Sequence, residues 1–176
     1  MATMQPANET MPRSAAPKRN ALPWLALSAL LIALDQWTKH LAVEHLTYRE
    51  RVPVVPGFWD WNLTHNTGAA FSFLADAGGW QHGFFIVLAL IISALLAFWL
   101  ARTERGDWRT AIPFALIVSG ALGNVIDRVR FGYVVDFIHW YFRGHDWPVF
   151  NVADSCIVVG ALVMVAFGFR KRAEGA

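Results

Sequence analysis

Eight polar residues stand in or beside stretches of this chain that are otherwise apolar: Asp35, Asn66, Asn124, Asp127, Arg128, Asp136, Asn151 and Asp154. Two of them suggest a specific chemistry. Asp136 lies in "VVDF", and Asp154 is fifth in "FNVADSCIVVGALVMVAFGF", an apolar run of membrane-spanning length where ionisation is costly. They are eighteen residues apart, so the chain between them can turn back and bring both to one height. Two carboxyls facing one small volume resist ionising together, so one keeps its proton. The charged partner can then take a proton from water while the neutral one hydrogen-bonds a carbonyl, and the titration belongs to the pair. Spacing alone leaves a second reading open, in which each carboxylate caps a helix or pairs with Arg128 or Arg130.

The other polar groups are expected to face the same wet cavity. Asp127 and Arg128 are adjacent and point to different sides of a helix, so Arg128 could pair with a carboxylate across the bundle. Asp35, in "LDQWTKH", could brace a neighbouring helix or pair with Lys39 at i+4. Asn66, Asn124 and Asn151 could bond a bound peptide or glue helices together. His139 and His145, with Asp146, form no recognised metal pattern and read as interfacial residues with polar tips. Ser155 and Cys156 have no histidine at an obvious partner position, which argues against a Ser or Cys nucleophile. Neither a metal nor an organic cofactor is expected. "SGALGN" reads as small-residue helix packing.

The elements that must position these residues are helices. The chain has 176 residues, 56% hydrophobic and only 16% charged. Four segments approach the roughly 20 residues needed to cross a bilayer. They are Leu22–Leu41, Gly83–Ala101, Thr110–Arg128 and Asn151–Phe169. Arg13, Lys18 and Arg19, then Arg102, Arg105 and Arg109, then Arg170, Lys171 and Arg172 fall on one side of a four-span chain. That bias makes this side cytoplasmic, with both termini inside, and puts the polar cluster near the outer face. Residues 1–20 read as a disordered cytoplasmic tail in preference to a cleaved signal peptide, since no good A-x-A site follows. Residues 21–170 form the membrane domain and 171–176 a second cytoplasmic tail. Residues 42–82 and 129–150 lie outside, rich in Trp, Tyr and Phe suited to the headgroup layer. Basic residues sit beside the apolar blocks, which argues against nucleic-acid binding. A small proton-coupled transporter is the alternative that intramembrane carboxylates allow, although no internal repeat is visible.

Five ordered blocks, "LDQWTK" (34–39), "NTGAAFSF" (66–73), "GALGNVIDR" (120–128), "VVDF" (134–137) and "FNVADS" (150–155), resemble the lipoprotein signal peptidase (signal peptidase II) family. The resemblance covers about residues 22–170. It implies an all-α protein of the bacterial inner membrane with four transmembrane helices and a small extracytoplasmic β-cradle, supplied mostly by residues 42–65, and a short mobile helix over the site. It implies an aspartyl endopeptidase, with active site near the periplasmic face, that removes signal peptides from diacylglyceryl-modified prolipoproteins just before the lipidated cysteine. Asp136 and Asp154 correspond to the catalytic aspartates, and Asn66, Asn124, Arg128 and Asn151 to substrate-binding positions. Asp35, Asp127 and Gly68 would support the site, and Phe71 is a further motif position. Membrane lipid is the expected surrounding partner. Nothing requires more than a monomer.

Overall fold

The computed structural model describes residues 20–68 and 79–173, with only the backbone of residues 168–173. The expectations for residues 1–19, for Phe71 and for the last three residues therefore lie outside the described residues. A 3-10 turn at Leu22–Trp24, started by Pro23, leads into α1 (Leu25–His45). Then come β1 (Arg51–Val55), β2 (Trp59–Asn66), α2 (Trp80–Arg102), α3 (Trp108–Phe131), β3 (Val134–Phe142), β4 (His145–Asp146) and α4 (Val152–Ala173). Each of the four apolar segments is a helix, longer than its expected core by a few residues at one or both ends.

Two of these helices, α2 and α3, are long and apolar enough to cross a membrane by length and composition. They do different work. The most apolar stretch of α2 has mean hydropathy 2.8 and is only 11% buried, so Val87, Ile91 and Leu95 face outward with no polar stripe. That of α3 has mean hydropathy 1.5 and is 67% buried, because α3 packs against all three other helices. In α1 the apolar run is interrupted by Asp35, Gln36, Lys39 and His40, and in α4 the apolar part with described side chains is Val152–Phe167.

One end of the bundle is closed by a small apolar cluster. Ala21 N–H donates to the carbonyls of Leu100 (3.1 Å) and Thr103 (3.0 Å), and Ala21, Leu100, Ala111 and Phe114 are buried together. The start of α1, the end of α2 and the start of α3 therefore share that end. Asp107 caps α3 there, accepting from Thr110 N–H at 3.2 Å.

The opposite end carries an antiparallel sheet in the order β1-β2-β3-β4. The two outer stretches share this cradle, one central strand each. Residues 42–65 thus supply less of it than expected, because β3 pairs along most of β2, with Thr64 opposite Asp136 and Asn66 opposite Val134. The short helix expected over the site does not occur within 46–68, and residues 69–78 lie outside the described residues. Gly132 makes the turn from α3 to β3. Its φ of 77° is a left-handed conformation that a side chain would strain, and its N–H closes the helix on Arg128 O.

Close approach of α3 and α4 depends on glycine. A Cβ at Gly120 would collide with the Ala153 carbonyl oxygen and stand 2.6 Å from Ile157 Cγ1, while one at Gly160 would meet Pro113 O at 3.0 Å. "SGALGN" is thus a helix-packing surface. Gly120→Ala should lower stability by about 1–3 kcal/mol, the usual cost of overpacking, seen as an earlier midpoint for unfolding in detergent. An unchanged midpoint would show that the two helices can separate freely.

Candidate active site

The site lies where α3 ends, β3 begins and α4 starts, and each of these events places one side chain. Four residues past Gly132 the chain reaches Asp136, buried in β3. Asn66 ends β2 on the same face, diagonal to it across the ladder. Its Nδ2 donates to Asp136 Oδ2 (3.1 Å), and its Oδ1 accepts from Gly68 N–H (3.0 Å). Asn151 precedes α4 and caps it. Its Oδ1 accepts from Asp154 N–H (2.9 Å), and Asp154 Oδ2 reaches back to accept from Asn151 N–H (3.2 Å). This is a reciprocal capping box, in which the acid at the third helical position returns to the cap. The helix-capping reading of Asp154 is therefore correct as geometry, and it uses one of the two carboxyl oxygens, Oδ2.

Asn151 also joins the two acids. Its Nδ2 donates to Asp136 Oδ1 at 2.6 Å, with Asn124 Oδ1 (3.2 Å) and Val135 O (3.3 Å) also within reach. Asn124 Nδ2 donates to Asp154 Oδ1 at 2.7 Å. Asp136 and Asp154 thus meet through one asparagine that bonds both. Burial, first, and the nearby Asp154 carboxylate, second, push the Asp136 carboxyl up to about 8. Hydrogen bonds from Asn66 and Asn151 and the charge of Lys39 oppose that rise.

Beneath the pair lies a buried ionic cluster. Lys39 Nζ is 2.8 Å from Asp35 Oδ2, 2.9 Å from Asp127 Oδ2 and 3.1 Å from Asn124 Oδ1. Asp35 Oδ1 accepts from Ala153 N–H (2.9 Å), so α1 caps the first turn of α4. Asp127 Oδ2 accepts from Val135 N–H (3.0 Å), which folds β3 back onto α3. Gln36 Nε2 donates to Asp127 Oδ1 at 2.9 Å. Gly123 leaves room for the cluster, since a Cβ there would stand 2.7 Å from Asp35 Oδ2. Asp35 both braces α4 and pairs with Lys39, two roles that the sequence posed as alternatives.

Arg128 points away from Asp127, as adjacency on a helix requires. It donates to Gly68 O at 2.8 Å, and its guanidinium carbon lies 5.2 Å from the centre of the Phe85 ring. Among the described residues it forms no ion pair with a carboxylate, contrary to the cross-bundle pair anticipated for it, because its side chain turns toward the segment that leads on from β2. Its Nε is buried and has no hydrogen-bond partner among the described residues. Asn124 and Asn151 take the gluing role that the sequence offered beside peptide binding. Both are buried, with their amides committed to the two aspartates and to Lys39. His139 is not an interfacial tip. It is buried in the sheet, with Nε2 3.2 Å from Asp146 Oδ1 and Nδ1 3.8 Å from Asp60 Oδ2, in a network that Tyr141 joins by donating to Asp60. Lys39 and Gln36 escaped the sequence reading as site residues. Their signal was a lysine one helical turn from an aspartate inside an apolar run.

The chain is similar to known proteins over most of its length. Residues 27–170 match the signal peptidase (SPase) II family. The chain is 59% identical over 157 residues to the lipoprotein signal peptidase of Xanthomonas oryzae pv. oryzae (strain PXO99A), covering 89% of this chain and 95% of that protein. It is 60% identical over 143 residues to that of Xylella fastidiosa (strain 9a5c), covering 81% and 86%. Two solved structures of bacterial membrane enzymes superpose on it with TM-scores of 0.79 and 0.72, at 27% and 28% identity. They cover 93% and 86% of this chain and 97% and 96% of their own. With the family's pattern spanning the whole region that holds the paired carboxyls, the chain belongs to the signal peptidase II family.

Proposed function

We propose that this chain is an aspartic endopeptidase that removes the signal peptide from diacylglyceryl-modified prolipoproteins, cutting just before the lipidated cysteine. The observation that carries the reading is the meeting of Asp136 and Asp154 through Asn151. One carboxylate takes a proton from water as that water attacks the scissile carbonyl. The other, protonated, hydrogen-bonds the carbonyl oxygen and then protonates the leaving amine. Asn124 and Asn151 set the two carboxyls, which leaves Asn66 and the unmet Nε of Arg128 as the groups best suited to hold the peptide.

All four helices span the membrane in this reading, with the cluster of Ala21 and Leu100 at the cytoplasmic end. The sheet then lies at the periplasmic face of the inner membrane, and both termini are cytoplasmic. The nine basic residues of the two tails and the α2–α3 loop support that orientation. The substrate's acyl chains remain in the bilayer, so the membrane aligns the bond with the acids. The protein works as a monomer. Family membership removes the transporter alternative.

The purified protein in detergent should cleave a diacylglyceryl-modified precursor. Asp136→Asn and Asp154→Asn should each stay folded and lose about 10²–10⁴-fold or more of that activity, the span of general acid–base catalysis. Cleavage undiminished in either variant would remove that residue from the chemistry. The raised Asp136 carboxyl fixes the sign of the pH dependence on the alkaline side. Its neutral form is the donor, so activity is present below about 8 and lost as pH rises through that value. A rate still climbing well above that pH would show that Asp136 does not act as the acid.

A further inference from the structure

Lys39 is buried and spends all three of its protons on Asp35, Asp127 and Asn124. The third contact has a consequence for the acids above it. An ammonium has donors only, so the Asn124 amide must turn its carbonyl oxygen toward Lys39. The amide nitrogen is then forced toward Asp154, where it lies 2.7 Å from Oδ1. That nitrogen can only donate, and a carboxylate anion is the partner that accepts best. Asp154 Oδ2 already accepts from Asn151 N–H, in the first turn of α4, where the helix dipole also favours an anion. Asp136 sits on a strand, where no helix dipole favours an anion. It accepts from the neutral amides of Asn66 and Asn151 rather than from one that is itself bonded directly to an ammonium through its carbonyl and to the carboxyl through its nitrogen.

We propose that Lys39 is a positioning residue for the aspartate pair, locking the orientation of Asn124 so that Asp154 is held as the ionised base and the exchangeable proton rests on Asp136. This rests on the aspartic-peptidase reading and deepens it by assigning the two roles. The charged groups acting on Asp154 are Lys39 and Asp35 from α1, Arg128 from α3 and Asp136 from β3. Lys39 acts through the amide it orients, since the Asp35 and Asp127 carboxylates that it meets offset its charge.

The test removes Lys39 without leaving its partners as lone buried charges. Lys39→Met combined with Asp35→Asn and Asp127→Asn keeps the volume of the cluster, and Asn124→Ala cuts the same link from its other end. With a diacylglyceryl-modified precursor in detergent, kcat and KM are followed from acid to alkaline pH. Each of the two variants should lower kcat more than it raises KM. Each should move the acid limb, where Asp154 gains its proton, upward by about one pH unit, the scale of a lost favourable contact to a carboxylate. The triple variant removes one positive and two negative charges, so an upward shift there comes from the released Asn124 amide and not from the altered field. Combining them should move the limb no further, since both cut one chain. An acid limb unchanged in Asn124→Ala overturns the proposal even if the triple variant fails to fold. Fully additive shifts overturn the relay through Asn124. These failures are distinct from that of the peptidase reading itself, which would appear as cleavage surviving in Asp136→Asn or Asp154→Asn.

Discussion

A single buried ammonium ties this molecule together. Lys39 leaves α1 and meets one carboxylate of its own helix, one of α3 and the amide of Asn124. Asp35 in turn caps α4 through Ala153 N–H, and Asp127 holds the start of β3 through Val135 N–H. Three helices and the sheet are thus pinned to one point. Buried charges are costly to desolvate, and taking away one partner of such a pair typically costs about 3–5 kcal/mol because the other is left uncompensated. The cluster therefore acts less as a source of net stability than as a constraint on geometry. Alternative packings of α1 against α3 leave a charge without a partner.

The chemistry follows from that constraint. Four carboxyls, of Asp35, Asp127, Asp136 and Asp154, share the region with two cations, Lys39 and Arg128. Asp35 and Asp127 take the ammonium, and Arg128 is turned to Gly68. The remaining two acids have amides for neighbours and each other's charge to contend with. Holding one neutral is the low-energy solution, and the pair then offers a donor and an acceptor side by side. Asparagine suits this setting because each amide supplies a donor and an acceptor with no net charge. Asn151 illustrates the economy of it, capping α4 with its oxygen and joining the two acids with its nitrogens.

The helices were legible because hydropathy is a local property, and long apolar runs such as Gly83–Ala101 have few alternatives in a chain this hydrophobic. The paired aspartates were visible as polar residues in apolar context, and the motif blocks tied them to a family. Their immediate partners were harder to read. "NVAD" is an asparagine three residues ahead of an acid, a capping-box spacing that could have been recognised from sequence. The Lys39–Asp127 and Asn124–Asp154 contacts could not, since they join distant segments whose approach is set by helix packing and by small residues such as Gly120 and Gly123. The same holds for the cradle. The alternation in 59–66 marks a strand, but β3 became its partner only through the turn at Gly132, and the burial of His139 followed from that pairing.

In the proposed chemistry two carboxyls share one buried volume and one proton. The most direct measurement is a carbon-13 NMR titration of the protein labelled at its aspartate carboxyl carbons, in detergent micelles. One aspartyl resonance should titrate near pH 8 and vanish in Asp136→Asn. If every aspartate instead ionises in the ordinary carboxylate range, around pH 4, the two acids do not face each other in a shared dry site and no proton is held between them.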